Sequence, residues 1–384
     1  MRPPLDRALF PVTDAWTYLN HAGVAPLSST VVEATNRCLA EMAVSGSLAC
    51  SRQSVRAEEV RTAAADLMGV GEDEMAFIKN TTEGLGFVAN GLPWQPGDRV
   101  VLPDHEFPST LYPWLALADR GVTVDLVAPV GPGRTLPVEA YAEVIAAGPP
   151  PKVVVTSWVQ FGRGWRTDLA ELATIVHDAG ALFCVDVIQG LGLVPARFGD
   201  WGVDFAMADA HKWLLGPSGI GVFFVRRSCL DRLVPLEPGW ASVAHREQWD
   251  NRELVWHDSA RRFEGGSSNV AGVEALGAAV ELLTAAPVEA IWDHVTSLCD
   301  RAVDGLAGVG AEILSDRSAA GRSGIVTFSV PGQPAVAVVD ALAAQGIICS
   351  PRGGGVRVSP HGYNEAAEID HLVTAVAGLR AAGG

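Results

Sequence analysis

The sequence predicts an α/β fold, with a large domain on a mainly parallel sheet and then a smaller C-terminal α+β domain. Three observations carry that prediction. Short β-branched runs alternate with segments of helical period through the first two thirds of the chain. Such alternation builds parallel sheets covered by helices on both faces. From about Val270 the texture changes to long Ala-rich helical segments with short strands between them. The 384 residues, 48% apolar and 19% charged, suffice for a large domain plus a smaller one and exclude a disordered chain.

The expected strands are Val100–Leu102, Val122–Val127, Val153–Thr156, Ala181–Val185, Phe205–Ala208 and Ile220–Val225. Helical periods fall at Ser109–Arg120 and Asp168–Asp178, and Phe77–Gly84 reads as strand, polar turn and helix start. Beyond Val270 come helices over Val270–Ala285 and Val288–Leu306, a strand at Gly324–Val330 and a helix at Ala335–Gln345. A strand at Gly355–Val358 and a helix over Glu365–Ala381 close the chain. The expected division is a segment 1–20 associated with the small domain, a large domain over 21–270 and a small domain over 271–384.

A formal net charge of −16 repels phosphate backbones and argues against a nucleic-acid partner. No apolar stretch approaches the length of a membrane span, and the N-terminus lacks an apolar signal core. The expected setting is the cytoplasm, away from membranes. Six cysteines (38, 50, 184, 229, 299 and 349) show no Cys-x-x-Cys pairing and are expected as reduced thiols, with no metal site.

Several motifs are missing. No Gly-x-Gly-x-x-Gly opens a helix after a strand, and there is no Walker lysine loop and no His-Glu-x-x-His. Gly216-Pro-Ser218-Gly219-Ile220 lacks the last glycine of a nucleophile elbow.

What remains starts from lysine. Only three of the 28 basic residues are lysines, Lys79, Lys152 and Lys212. Lys212 follows a strand and precedes apolar Trp213, Leu214 and Leu215. Apolar surroundings depress an amine's pKa and make it a nucleophile suited to Schiff-base chemistry. The same context suits a lysine snorkelling from a strand end. Asp186 ends a buried-looking strand, where it could pair a protonated ring nitrogen or simply cap a helix. Gln189, three residues on, could donate to an oxygen of the same ring. Asn80-Thr81-Thr82-Glu83 at a helix start offers hydroxyls and free N–H groups as a phosphate seat, or a plain capping box. Phosphate seat, ring-pairing carboxylate and amine, in that order, suit pyridoxal phosphate (PLP).

These residues resemble the class V aminotransferases of PLP fold type I, a group that includes cysteine desulfurases, kynureninase, isopenicillin N epimerase and carbon–sulfur lyases. The resemblance covers nearly the whole chain. It is carried by Tyr18-Leu-Asn20-His21-Ala-Gly23, Asn80-Thr-Thr-Glu83, Asp104-His-Glu-Phe107-Pro-Ser, Val185-Asp186-Val-Ile-Gln189, Asp209-Ala-His211-Lys212-Trp213, Arg262-Phe-Glu-Gly-Gly-Ser267-Ser-Asn269 and Arg357-Val-Ser-Pro-His361-Gly-Tyr363-Asn364.

The resemblance implies roles. Lys212 would carry the cofactor and shuttle protons at Cα. Asp186 would pair the pyridine nitrogen and Gln189 the ring oxygen. Thr81, Thr82 and His211 would hold the phosphate. Ser267 matches the place where relatives offer a threonine to the partner subunit's phosphate, which implies a homodimer with shared active sites. Phe107 would stack on the ring, with His105 as the alternative. Arg357 matches the arginine that binds a substrate α-carboxylate through a bidentate pair. Asn20, His21, Arg352 and Trp240 complete the expected substrate-binding set; Arg352, taken from its place on a glycine-rich loop, could read a second anionic group or be a solvated turn arginine. Trp158, Gln160 and Trp240 are looser pocket candidates that ordinary packing explains better.

The pattern breaks at Cys349. Desulfurases carry a nucleophilic cysteine on a loop well before the carboxylate-binding arginine. Here Cys349 lies only eight residues before Arg357 and aligns with a strand, so it is expected in the core. The stretch Ser157–Leu169 resembles the epimerase and kynureninase branches more than the desulfurases. The expected function is therefore a PLP-dependent enzyme acting at Cα of a small amino acid, first a carbon–sulfur lyase on a cysteine-derived metabolite in a biosynthetic pathway. An epimerase or aminotransferase is the alternative. A non-catalytic PLP-fold binding protein is the third reading, and the retention of both Lys212 and Asp186 stands against it.

Overall fold

The computed structural model describes residues 2–383. Strand β1 (Thr17–Tyr18) precedes helices α1 (Ser29–Ser45) and α2 (Cys50–Met68). The Ser28 side chain caps α1 by accepting from Val31 N. There follow β2 (Met75–Ile78), α3 (Thr81–Gly91), β3 (Arg99–Pro103), α4 (Pro108–Leu115), β4 (Thr123–Val127), α5 (Val138–Ala146), β5 (Val153–Ser157), α6 (Leu169–Asp178), β6 (Leu182–Asp186), β7 (Phe205–Asp209) and β8 (Gly221–Val225).

These strands form one seven-stranded sheet in the order β2-β8-β7-β6-β5-β3-β4. Strands β7, β6, β5, β3 and β4 run parallel, and β8 runs antiparallel to both its neighbours. Alternate residues along each strand serve the two faces. Val101, Phe183, Val185 and Ala206 enter one core cluster, while Val100, Leu182, Cys184 and Phe205 enter the other. Both faces are dry, which is why these strands read as unbroken apolar runs.

The second part comprises α7 (Val270–Thr284), α8 (Val288–Gly308), β9 (Glu312–Ile313), β10 (Val326–Ser329), α9 (Ala335–Ala343), β11 (Ile347–Ile348), β12 (Ser350–Arg352), β13 (Gly355–Val358) and α10 (Ala366–Gly383). Its four-stranded antiparallel sheet has the order β12-β13-β10-β9. Strand β1 pairs in parallel with β11, and Leu5 N donates to the Gly362 carbonyl at 3.2 Å. Leu5, Thr17 and Tyr18 thus contact the C-terminal part.

Two expectations need correction. Ser109–Arg120 is not one helix: α4 ends at Leu115 and a separate 3-10 turn covers Ala118–Arg120. Pro113 lies inside α4 and has no N–H for the ladder, so the helix stops soon after it. Helix α7 does not belong with the residues that follow it. Its Ala275, Ala278 and Ala279 pack on Val31 and Ala34 of α1, and Glu274 pairs with Arg52 and Arg56 of α2. The chain turns by 77° between α7 and α8. Among the described residues no single helix is long and apolar enough to cross a membrane, although the bent pair α7–α8 passes by length and composition.

Glycines decide where loops can touch the lysine-bearing segment. Gly192 has φ +96°, and a Cβ there would lie 2.4 Å from the Trp213 carbonyl oxygen. Gly180 has φ +75° with open space around it. Gly180→Ala is expected to lose only the backbone term, ~1–2 kcal/mol. Gly192→Ala adds overpacking of ~1–3 kcal/mol and presses on the residue next to Lys212. Thermal unfolding of both variants checks this, and equal losses would contradict the close approach.

Candidate active site

The carboxyl ends of the parallel strands open into a cavity of about 390 Å³. Strand β5 delivers Ser157, β6 delivers Asp186 and β7 delivers Asp209 to its walls. Strand β2 runs parallel to β7 because both pair antiparallel with β8. Its exit therefore brings Asn80, Thr81 and Thr82 to the same end.

Lys212 sits on a loop that closes on itself. Ala210 N donates to the Ile220 carbonyl, Gly216 N to Ala210 and Leu215 N to Lys212, with Leu215 at φ +59°. The neighbouring Trp213 is fully buried, and its Nε1 donates to Gln189 Oε1 at 3.0 Å. The Lys212 amine points into the cavity, 5.6 Å from the Phe107 ring centroid, and hydrogen-bonds to none of the described residues. Burial pulls its pKa down to about 8; Asp186 opposes the shift and the Arg357 charge adds to it.

Asp186 is buried beside it. Its Oδ2 accepts from Thr110 Oγ1 at 2.9 Å and its Oδ1 from Ile188 N at 3.0 Å. Burial still holds this carboxyl above the usual range, so it lacks a full positive partner. Thr81 Oγ1 accepts from Asp209 N at 3.0 Å, and Asn80 caps α3 through Glu83 N. The N–H groups of Thr81 and Thr82 belong to the first turn and have no intrahelical partner. His211 Nδ1 stands 3.0 Å from Asp209 Oδ2 but out of line, and is buried without a hydrogen bond.

Arg357 comes from β13. Its Nη1 donates to the Phe161 carbonyl at 2.6 Å, while its Nε is buried without a partner. Burial and then the nearby Arg352 lower it to about 10. A guanidinium this dry, with a free donor edge in a cavity, is a seat for a carboxylate.

Of the residues expected at the site, the cavity gathers Thr81, Thr82, Phe107, Asp186, Gln189, His211, Lys212, Arg352 and Arg357. Gln189 has one amide N–H committed to the Ala22 carbonyl at 3.0 Å and one left for the cavity. Four residues do not line it. His21 is wholly buried behind the wall, with Nδ1 at 2.8 Å from the Ser359 carbonyl and Nε2 at 2.8 Å from Tyr363 Oη. Asn20 shares its turn. The turn presents Ala22, Gly23 and Val24 to the cavity; His21 points into the C-terminal part, while Asn20 bridges Ser359 by its backbone and lays its side-chain amide against Gly23. Ser267 and Trp240 line a surface depression of about 480 Å³ beside α2. Of the two ring-stacking candidates, Phe107 faces Lys212, whereas His105 turns into a neighbouring cleft. Trp158 packs on Phe198 and Trp201 in the core. Gln160 accepts from Gly162 N and Arg163 N and shapes a loop.

The sequence did not single out Thr110, Asp209 or Glu106. Asp209 carries the same signal as Asp186, a carboxylate ending an apolar strand. Thr110 carries none, because only packing of α4 against β6 turns it to Asp186. Glu106 is buried behind Phe107, where its carboxyl accepts from Ser157 N at 2.7 Å and from Ser157 Oγ at 2.5 Å.

The aminotransferase class-V family model matches residues 17–372. A probable cysteine desulfurase of Methanothermobacter thermautotrophicus is 29% identical, covering 97% of this chain and 96% of its own. The structure of a cysteine desulfurase from Thermococcus onnurineus superposes with a TM-score of 0.89 at 25% identity, covering 99% and 98% of the two chains. The cystine C–S lyase C-DES, solved with its product cysteine persulfide, shares the fold with a TM-score of 0.87 at 24% identity, covering 96% and 99%.

Glu106 yields a pH-dependent prediction. Burial raises its carboxyl to about 7, Ser157 opposes the shift, and the charge of Asp186 adds to it. The folded chain therefore holds this proton more tightly than the unfolded chain does. Stability falls as pH rises from the ordinary carboxylate value to about 7. Glu106→Gln keeps an acceptor for Ser157 N and cannot ionise. Its stability relative to the unsubstituted chain is expected to improve between pH 5 and pH 8, by up to ~3 kcal/mol. Calorimetry at both pH values measures this; a difference independent of pH would count against a raised Glu106.

Proposed function

The chain belongs to the class-V aminotransferase family, and from that premise we propose a pyridoxal-phosphate-dependent carbon–sulfur lyase that acts on a cysteine-derived amino acid in a biosynthetic pathway. One observation carries the reading. A single cavity is lined by a buried amine, a buried carboxylate and a buried guanidinium, and no cysteine lies on it. Cys349 is buried between β11 and β12, with its thiol pushed up to about 12, which does not suit a nucleophile that collects sulfur. We therefore assign cleavage of the carbon–sulfur bond without a protein thiol as relay.

The cavity residues fit the cofactor. Asp186 lacks a cation, which a protonated pyridine nitrogen would supply. The start of α3 offers the free N–H groups of Thr81 and Thr82, and His211 has an unpartnered Nδ1 nearby, which together suit a phosphate. Bound PLP supplies an electron sink for the bond broken at Cα. The protein does the rest. Asp186, held by Thr110 and Ile188 N, would keep the proton on the ring nitrogen. Arg357 grips the substrate carboxylate and fixes which Cα bond faces the amine. Lys212, poised near neutrality, takes the proton from Cα as the Cβ–S pair leaves on sulfur. Phe107, beside the Lys212 amine, would cover a bound ring and keep water from that face.

We also propose a homodimer. Val44, Leu48 and Val55 form an exposed apolar surface around the α1–α2 junction, next to the depression that holds Ser267 and Trp240. A second copy seated there would bring Ser267 to its partner's phosphate. Six unpaired cysteines suit a reducing cytoplasm.

Two outcomes are expected. With S-substituted cysteines the holoenzyme, consuming one water, releases pyruvate, ammonia and thiol in equal amounts, and Lys212→Ala lowers turnover by about a thousandfold or more with loss of the cofactor's visible band. Pyridoxamine phosphate in place of pyruvate would indicate an aminotransferase, and solvent deuterium at an inverted Cα an epimerase. Arg357→Ala raises KM about ten- to hundredfold with a smaller change in kcat, by loss of the charge-assisted pair. A near-normal KM would remove Arg357 from the carboxylate seat.

A further inference from the structure

A second cleft, about 260 Å³, adjoins the catalytic cavity. Phe161 lines both, and its ring meets Phe107 edge-on at 5.4 Å. His105, Arg134, Arg163 and the Gly353-Gly354 turn complete the cleft. That turn joins β12 to β13, and the residue before it, Arg352, faces the catalytic cavity. The two spaces are therefore neighbours around one aromatic wall, with Arg352 at the join.

The cleft has a mainly apolar lining and is flanked by arginines. None of Arg134, Arg163 and Arg352 pairs with an acid among the described residues, although the chain carries a formal net charge of −16. Arg163 lies below its ordinary value through burial and then the charge of Arg134. Arg352 acts likewise on Arg357. Asp104 reaches Arg134 only through His105, and no carboxylate bonds to Arg163 or Arg352 among the described residues, so an added anion would offset these charges.

The donors are also positioned. Arg163 Nε donates to the Gly353 carbonyl at 2.8 Å and Nη1 to the Pro132 carbonyl at 2.5 Å, while Nη2 has no partner among the described residues. Gln160 Oε1 accepts from Gly162 N and Arg163 N, both at 2.8 Å, and holds the arginine's own turn. Gly353, at φ +61°, admits a backbone approach that a Cβ would block, only 2.6 Å from the Gly162 carbonyl oxygen. Arg134 has φ +53°, a conformation a non-glycine residue keeps only where its surroundings require it, and its Nε meets His105 Nε2 at 3.3 Å.

We propose that this cleft receives an anionic group at the far end of the substrate's side chain, so that the preferred substrate is an S-substituted cysteine bearing a terminal carboxylate. The inference rests on the reaction proposed above. Arg357 takes the α-carboxylate, the Cα–Cβ–S unit lies before Lys212, and the substituent on sulfur passes Phe161 to Arg134 and Arg163. Arg352 borders both segments.

The test compares S-carboxymethyl-L-cysteine with its neutral isostere S-carbamoylmethyl-L-cysteine on the holoenzyme. The acid should exceed the amide in kcat/KM by about ten- to hundredfold, mainly through KM, as charge-assisted hydrogen bonds do. Arg163→Gln and Arg134→Gln should each cut that preference about tenfold. Arg134 stands on an exposed turn, so its variant reports on charge even if Arg163→Gln disturbs the loop. A ratio near one in the unsubstituted enzyme, or one that survives both substitutions, would overturn the assignment. If neither compound is turned over, the lyase reading fails separately. The affinities of the two ligands, read from the cofactor's visible band, then carry the same comparison with the same expected ratio.

Discussion

The structure depends on keeping an amine and a carboxylate buried, close together and incompletely paired. Lys212 and Asp186 occupy the exits of adjacent strands, where water is scarce and each charge is costly alone. The parallel sheet makes this possible. Its carboxyl ends gather polar groups from β2, β5, β6 and β7 at one edge, while the strands below are dry on both faces. Thr110 and Ile188 N hold the carboxylate, and the self-closing loop around Trp213 holds the amine. The unmet charge of Asp186 and the lowered pKa of Lys212 are complementary features, since a cofactor with a cationic ring and an electrophilic carbon would relieve both.

The chain's two ends complete the wall. The N-terminal turn carries Ala22 to Val24 to the cavity because β1 is stitched to β11 and His21 is anchored to Ser359 and Tyr363. Strand β13 brings Arg357 from the same side. Two fully buried histidines there remain neutral: burial lowers His361 to about 4 and holds His21 well below its ordinary value. They join the two ends of the chain as hydrogen-bonded packing, and the charges this side brings to the wall are those of Arg352 and Arg357.

A cationic rim therefore surrounds the amine on one side and a carboxylate lies on the other. Arg357 and Arg352 add to the depression of Lys212, and Arg134 and Arg163 extend the positive field beyond Phe161. The β12–β13 hairpin is short and carries arginine and glycine. Cys349 lies before it, in the core. Local geometry here suits recognition of anions more than storage of sulfur on a thiol.

Much of this was legible in the chain itself. Apolar runs between helical periods specified a two-faced parallel sheet, and strand-end polar residues specified Thr81, Asp186 and Lys212, because local hydrophobic pattern and turn chemistry act over a few residues. Tertiary structure alone decided the rest. Which face of a turn meets the cavity set His21 and Asn20 aside, and the packing of α7 on α1 and α2 moved the expected boundary. Thr110 reached Asp186, and Arg163 reached Gly353, through contacts 76 and 190 residues apart in the chain. Such contacts leave no periodic trace in the sequence, because they arise only when separate elements are packed against one another.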